Sequence, residues 1–138
     1  MKKIAALIIN WNGASDSLEL ISSLVQCQND SLQIDIIIVD NASASDDVEQ
    51  LQNGLTGFQG VIDITVRFNG VNIGVPAGYN QCIQLAGMAY DYYLRLDNDV
   101  VVNAGGLQAM INALDAGAEN GIEIVGGNVR YYDRPEVN

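Results

Sequence analysis

Two short, nearly continuous apolar runs, Ile4 to Ile9 and Ile34 to Val39, constrain this chain more than any other feature. Unbroken runs of this length belong to strands covered on both faces, as in a parallel sheet packed between helices. What lies between and beyond them keeps the same rhythm. From about Ser15, Leu18, Ile21, Leu24 and Val25 fall at helical spacing on one face. Ser45-Asp46-Asp47 supplies N-cap chemistry for a short second helix ending near Gly54. Val61 to Phe68 reads as a third strand. Pro76 suits the first turn of a helix running to about Ala89. Tyr92 to Leu96 is a fourth strand, Ala104 to Ala116 a helix, and Ile122 to Val129 a fifth strand. Alternation of this kind predicts an α/β domain with a mostly parallel sheet flanked by helices. The segment from Tyr131 and Tyr132 to Pro135 reads as the start of further structure.

The 138 residues, 49% of them hydrophobic, are enough for one domain with a real core. Seventeen acidic residues against six basic ones give a net charge of -11. Such a surface repels phosphate backbones, so nucleic acid is not an expected partner. An anionic ligand remains compatible if a divalent cation or backbone N–H groups offset the charge. Cys27 and Cys82 lie far apart in segments read as helices, and they are expected to be core residues. Lys2-Lys3 before an apolar run faintly resembles a signal peptide. The run is short and ends in Asn10-Trp11-Asn12 without a small-residue cleavage site, so it reads as a buried strand. No run is long enough to span a membrane, and a cytoplasmic protein is expected.

Ligands of open α/β sheets bind beyond the carboxyl ends of the strands. Four strands here end in polar clusters: Asn10-Trp11-Asn12, Asp40-Asn41, Asn69 to Gly74, and Asp97-Asn98-Asp99. Any one of them is explained as a turn. Their joint placement at one edge points to a cleft. In an extended segment Asp97 and Asp99 project the same way. Mg²⁺ and Mn²⁺ take oxygen ligands, and Mg²⁺ often uses one or two carboxylates plus substrate phosphates. The competing reading is a solvated turn capping the next helix.

Asp40 suits a ribose hydroxyl or a nucleobase N–H, or else a turn with Asn41. The stretch from Asn72 through Gly74, Pro76 and Gly78 to Asn80 opens a helix whose free N–H groups suit an anion. It is neither a Walker loop nor a dinucleotide fingerprint. Trp11 suits either base stacking or the core. The tyrosines, among them Tyr90, Tyr92 and Tyr93, are expected to pack, and Arg95 to pair with Asp97 or another carboxylate. Without histidine there is no nucleophilic triad.

Taken together, the words IINWNG at Ile8 to Gly13, IIVDNAS at Ile37 to Ser43, NIGVPAGYN at Asn72 to Asn80 and YLRLDNDVVV at Tyr93 to Val102 resemble the family 2 glycosyltransferases, especially rhamnosyltransferase-like members. The resemblance covers nearly the whole chain. It implies a Rossmann-like GT-A fold, here truncated, with residues 1–138 as one nucleotide-sugar-binding domain. Asn10, Trp11 and Asn12 would then line a base pocket, and Asp40 and Asn41 would adjoin base or ribose. Asn72, Gly74 and Asn80 would shape the wall near diphosphate and sugar. Asp97 and Asn98 would lie near ribose and sugar, with Asp99, and Asp97 beside it, as ligands to Mg²⁺ or Mn²⁺. A UDP- or dTDP-linked sugar would be the donor, and inverting transfer to a glycan acceptor hydroxyl in polysaccharide biosynthesis the reaction, in the cytoplasm or peripheral to the inner membrane face. The family's catalytic base is expected beyond Asn138, since nothing supports Asp133 or Glu136 in that role. This chain alone is therefore expected to bind nucleotide with little or no transfer. A non-catalytic or degenerate binding module is the alternative, and self-association through uncovered apolar surface is a further expectation. A phospho-acceptor domain is disfavoured because no lysine follows Lys3.

Overall fold

A computed structural model describes residues 1–128 and residue 130. The chain divides into two compact units, Met1–Val101 and Val102–Asn138. The first holds a sheet of four strands, β1 (Lys2–Asn10), β2 (Leu32–Asp40), β3 (Asp63–Phe68) and β4 (Tyr92–Leu96). They run in the order β3-β2-β1-β4, and every neighbouring pair is parallel. Helices α1 (Ala14–Val25), α2 (Ser45–Leu55) and α3 (Val75–Ala86) make the crossovers.

The order explains the apolar runs. β1 and β2 occupy the middle of the sheet, and Ile4 to Ile9 and Ile34 with Ile36 to Val39 are all buried. The chain steps outward from β1 to β3 and then returns to the other side of β1 as β4. Right-handed crossovers therefore place α1 and α2 on one face and α3 on the other. Ala5, Leu7, Ile9, Ile37 and Val39 pack with Tyr79 and Cys82 of α3. The alternate residues Ile4, Ile8, Ile34, Ile36 and Ile38 point the other way, where Leu20, Ile21, Leu24 and Leu51 of α1 and α2 are fully buried. The reversal makes the carboxyl ends of β1 and β4 the topological switch point, the place where such sheets bind ligands.

Boundaries shift for local reasons. α3 stops at Ala86 because Gly87 takes φ 68°, and the Gly87 N–H closes the last turn on the Ile83 carbonyl. β3 begins at Asp63, since a 3-10 turn over Thr56–Phe58 and a further bend use up the residues before it. Both cysteines are buried free thiols. Cys82 lies in α3, whereas Cys27 sits just beyond α1. Burial pushes both thiols up, Cys82 to about 11.

In the second unit, α4 (Ala104–Gly117) is capped by the Asn103 carboxamide oxygen, which accepts from the Gly106 N–H at 3.1 Å. The fifth strand expected from Ile122 to Val129 does not form over residues 122–128. Apolar alternation there lacks a pairing strand among the described residues, and Gly126-Gly127 interrupts it; Ile124 is 88% exposed. Val129, and the expectations placed on Tyr131, Tyr132, Asp133 and Glu136, lie outside the described residues.

Candidate functional site

Asn10, the last residue of β1, is completely buried and organises the first two strand ends. Its carboxamide nitrogen donates to Asp40 Oδ2 at 2.8 Å and Asp47 Oδ2 at 2.8 Å, and lies 3.2 Å from Ser43 Oγ. Its oxygen accepts from Ser17 Oγ at 2.8 Å. Asp40 is only 1% exposed: Oδ1 accepts from the Ser43 N–H at 3.0 Å and Oδ2 from the Ser43 hydroxyl at 2.6 Å. Asp47, in the first turn of α2, also accepts from the Ala14 N–H at 2.9 Å and so caps α1 from another helix.

The loops above this floor are stitched together. Ser43 Oγ accepts from the Asn12 N–H at 2.8 Å, and Asn12 Oδ1 accepts from the Ala44 N–H at 2.8 Å. Both loops turn through left-handed residues, Asn12 at φ 53° and Ala42 at φ 66°. That turn throws Trp11 outward. It is 58% exposed, which removes the core reading and leaves the indole at the rim.

A second network joins β2 to the loop before α3. Buried Asn41 donates to Asn72 Oδ1 at 2.8 Å and accepts from the Ile73 N–H at 3.0 Å. Asn72 Oδ1 also accepts from the Gly74 N–H at 2.9 Å. Gly74 adopts φ 80° and ψ 162°, a conformation open essentially to glycine alone. Asn69 bridges to Gln81 of α3 at 2.8 Å. Asn80 is exposed on the same helix.

At the end of β4 the chain turns at Asn98-Asp99 instead of continuing extended, so the two carboxylates are not presented by strand alternation. The Asn98 carboxamide is drawn inward, donating to the Gly13 carbonyl at 3.2 Å and Ser17 Oγ at 3.3 Å. Gly13 permits this approach: a Cβ there would lie 2.4 Å from Asn98 Nδ2. Asp97 remains 70% exposed and pairs with Arg95 at 3.6 Å. The Tyr79 hydroxyl donates to the Leu96 carbonyl at 2.7 Å and lies 3.4 Å from Asp97 Oδ1. Burial, reinforced by the nearby Asp97 charge, pushes that hydroxyl up to about 12. No hydrogen bond or ion pair engages Asp99 among the described residues, and it is exposed.

Each of the expected site residues thus lies at the carboxyl ends of the strands or on the adjoining α3. Asn10, Asp40, Asn41 and Asn98 are held by the protein itself, while Trp11, Asn12, Asn72, Asn80, Asp97 and Asp99 are exposed. Four contributors were not among the expected site residues: Ser17, Ser43, Asp47 and Tyr79. Ser17 on a buried helix face and an aspartate in a first turn carry no distinctive signal, although Ser43 and Tyr79 lie inside the IIVDNAS and NIGVPAGYN words. No three metal-binding side chains cluster among the described residues. The two accessible carboxylates of Asp97 and Asp99 nevertheless fit a hard cation that takes its remaining oxygens from phosphate and water.

Sequence comparison decides the family. Residues 6–137 match Glycosyl transferase family 2. The chain belongs to that family. A search of curated proteins returned no match. Among solved structures, family membership is accompanied by a shared GT-A fold. Staphylococcus aureus TarS in complex with UDP superposes with a TM-score of 0.68 at 18% identity, over 84% of this chain and 33% of that one. TarS in complex with UDP-GlcNAc gives a TM-score of 0.69 at 18% identity, over 84% and 32%. The mannosyltransferase PcManGT from Pyrobaculum calidifontis, in complex with GDP-Man and Mn²⁺, gives 0.68 at 14% identity, over 82% and 32%. This family 2 chain spans about a third of the length of those structures.

Proposed function

We propose that residues 1–138 act as the donor-binding domain of a glycosyltransferase, holding a nucleotide-diphosphate sugar with the aid of a divalent cation. The observation that carries this reading is the convergence of four strand-end clusters at the switch point of a parallel sheet, with Asp97 and Asp99 exposed beside it. TarS binds UDP and UDP-GlcNAc, and PcManGT binds GDP-Man with Mn²⁺, which supports a nucleotide sugar as the ligand class. Asn10 and Asp40 form the floor of the base and ribose pocket, with Asn12 and Trp11 at its rim. Asn41, Asn72, Gly74 and Asn80 shape the diphosphate wall, and Asn98 anchors the turn. Asp99 and Asp97 hold Mg²⁺ or Mn²⁺. When bound, the cation offsets the diphosphate's charge and stabilises the leaving group as the sugar is transferred, with inversion, to an acceptor hydroxyl.

Electrostatics favours the cation. The site carries Asp40, Asp47, Asp97 and Asp99 in a chain of net charge -11, so a bare diphosphate meets repulsion. Calorimetric titration with UDP, dTDP and GDP, with and without Mn²⁺, tests the reading on wild type and Asp99→Asn. Metal-dependent binding of one nucleotide, lost in Asp99→Asn, is the expected result. Equal binding with and without metal, or none at all, would sink it.

A further inference from the structure

Asp97 is exposed, yet it is not left to solvent alone. Its carboxylate Oδ1 is approached by two groups, the Tyr79 hydroxyl at 3.4 Å and the Arg95 guanidinium at 3.6 Å. These two are themselves joined, because the Arg95 guanidinium lies 4.5 Å above the Tyr79 ring. Tyr79 also fixes the backbone at this point. Its hydroxyl donates at 2.7 Å to the carbonyl of Leu96, the residue immediately before Asp97. Its own position is firm, since the ring is 8% exposed and packs in the core with Ile9, Val39 and Cys82. The result is a rigid aromatic post, rooted in α3, that touches the last peptide of β4, the carboxylate beyond it and the cation paired to that carboxylate.

We propose that Tyr79 is a positioning residue for the cation site. It sets Asp97 through the Leu96 carbonyl and holds Arg95 over its ring, beside the carboxylate. The inference rests on the donor-site reading above. It adds a consequence for coupling. α3 opens directly from the Asn72 to Gly74 loop, so one side chain ties the diphosphate wall to the aspartate that holds the metal. Side chains that orient metal ligands are typically worth about 10- to 100-fold in metal affinity. A guanidinium held over a ring and beside a carboxylate is not replaced by an ammonium group, so Arg95→Lys disturbs the same arrangement from its other end.

The test is the affinity for UDP, dTDP or GDP, whichever the wild type prefers, measured with and without Mn²⁺. The variants are Tyr79→Phe, Arg95→Lys and Asp99→Asn. Tyr79→Phe keeps the ring and removes only the hydroxyl. The expected result is a roughly ten-fold or greater loss of the Mn²⁺-dependent gain in affinity, with metal-free affinity unchanged. A merely structural role would lower both affinities together, and that result overturns the proposal. So does a Tyr79→Phe protein that keeps the full metal-dependent gain while Asp99→Asn loses it. Should Tyr79→Phe fail to fold, Arg95→Lys carries the test, and a wild-type metal dependence there overturns the idea. A wild type that shows no metal dependence overturns the donor-site reading itself, and this inference with it.

Discussion

At the scale of single residues, the site is built more by what its side chains do for each other than by what they offer a ligand. Asn10 is the clearest case. With two donors and one acceptor it engages Asp40, Asp47 and Ser17 while fully buried. Replacing it leaves the buried carboxylate of Asp40 and the half-buried one of Asp47 with fewer donors, and the unmade bond to Asp40 is the more expensive. Asn10→Ala is therefore expected to cost roughly 2–4 kcal/mol in chemical denaturation. A loss under about 1 kcal/mol would show that water replaces the carboxamide without penalty. Ala42 presents the opposite case. It holds φ 66° between Asn41 and Ser43, a conformation that a Cβ disfavours. Ala42→Gly is expected to stabilise the chain by about 0.5–1 kcal/mol, the relief of strain exceeding the added chain entropy. An unchanged or lower melting temperature would contradict that account. The polar residue types at the strand ends were legible in the sequence. Their allocation was not. Nothing in the words WNG or DNAS says that Asp40 faces inward and Trp11 outward, because that depends on the left-handed turns at Asn12 and Ala42.

At the scale of elements, the apolar runs were the readable part. β1, β2, β4 and α1 through α4 all lie where periodicity places them, within a few residues. The absence of a strand over residues 122–128 has a physical cause: a strand is stabilised by its neighbours, and a lone sequence window cannot show whether one exists. The ties between elements were also invisible, since they join residues far apart in sequence. Tyr90 donates to Asp35 of β2 at 2.9 Å, and Tyr79 bridges α3 to β4. These ties predict alkaline behaviour. Burial first, and then neighbouring carboxylates, push both hydroxyls up to about 12. In the unfolded chain tyrosine ionises near pH 10. Between roughly pH 10 and 12 the unfolded chain releases protons that the folded chain retains, so stability is fully present below that window and falls across it. Denaturation midpoints measured through this range are expected to drop steeply in wild type and less steeply in Tyr79→Phe/Tyr90→Phe. Identical slopes would mean that neither hydroxyl is responsible.

At the scale of the whole molecule, fold and family agree, and the central claim concerns where a nucleotide sits. The sheet order sends β1, β2 and β4 toward a common edge, and the loops at that edge are tied by Ser43, Asn41 and Asn98 into one surface. A shallow cavity of about 340 Å³ lies elsewhere, lined by Leu55, Phe58, Ile62 and Val66 beside β3. It mixes apolar side chains with Gln52, Thr56 and Gln59 and offers a single carboxylate, Asp63, with none of the strand-end amides. The two places make different predictions for one measurement. Amide chemical shifts of the labelled chain, recorded during titration with the preferred nucleoside diphosphate and Mg²⁺, report the contact surface directly. Shifts concentrated at Trp11 to Gly13, Asn41 to Ser43, Asn72 to Gly74 and Asp97 to Asp99 are the predicted result. Shifts confined to the cavity beside β3, or none at any nucleotide concentration, would contradict the assignment of this strand-end surface as the donor site.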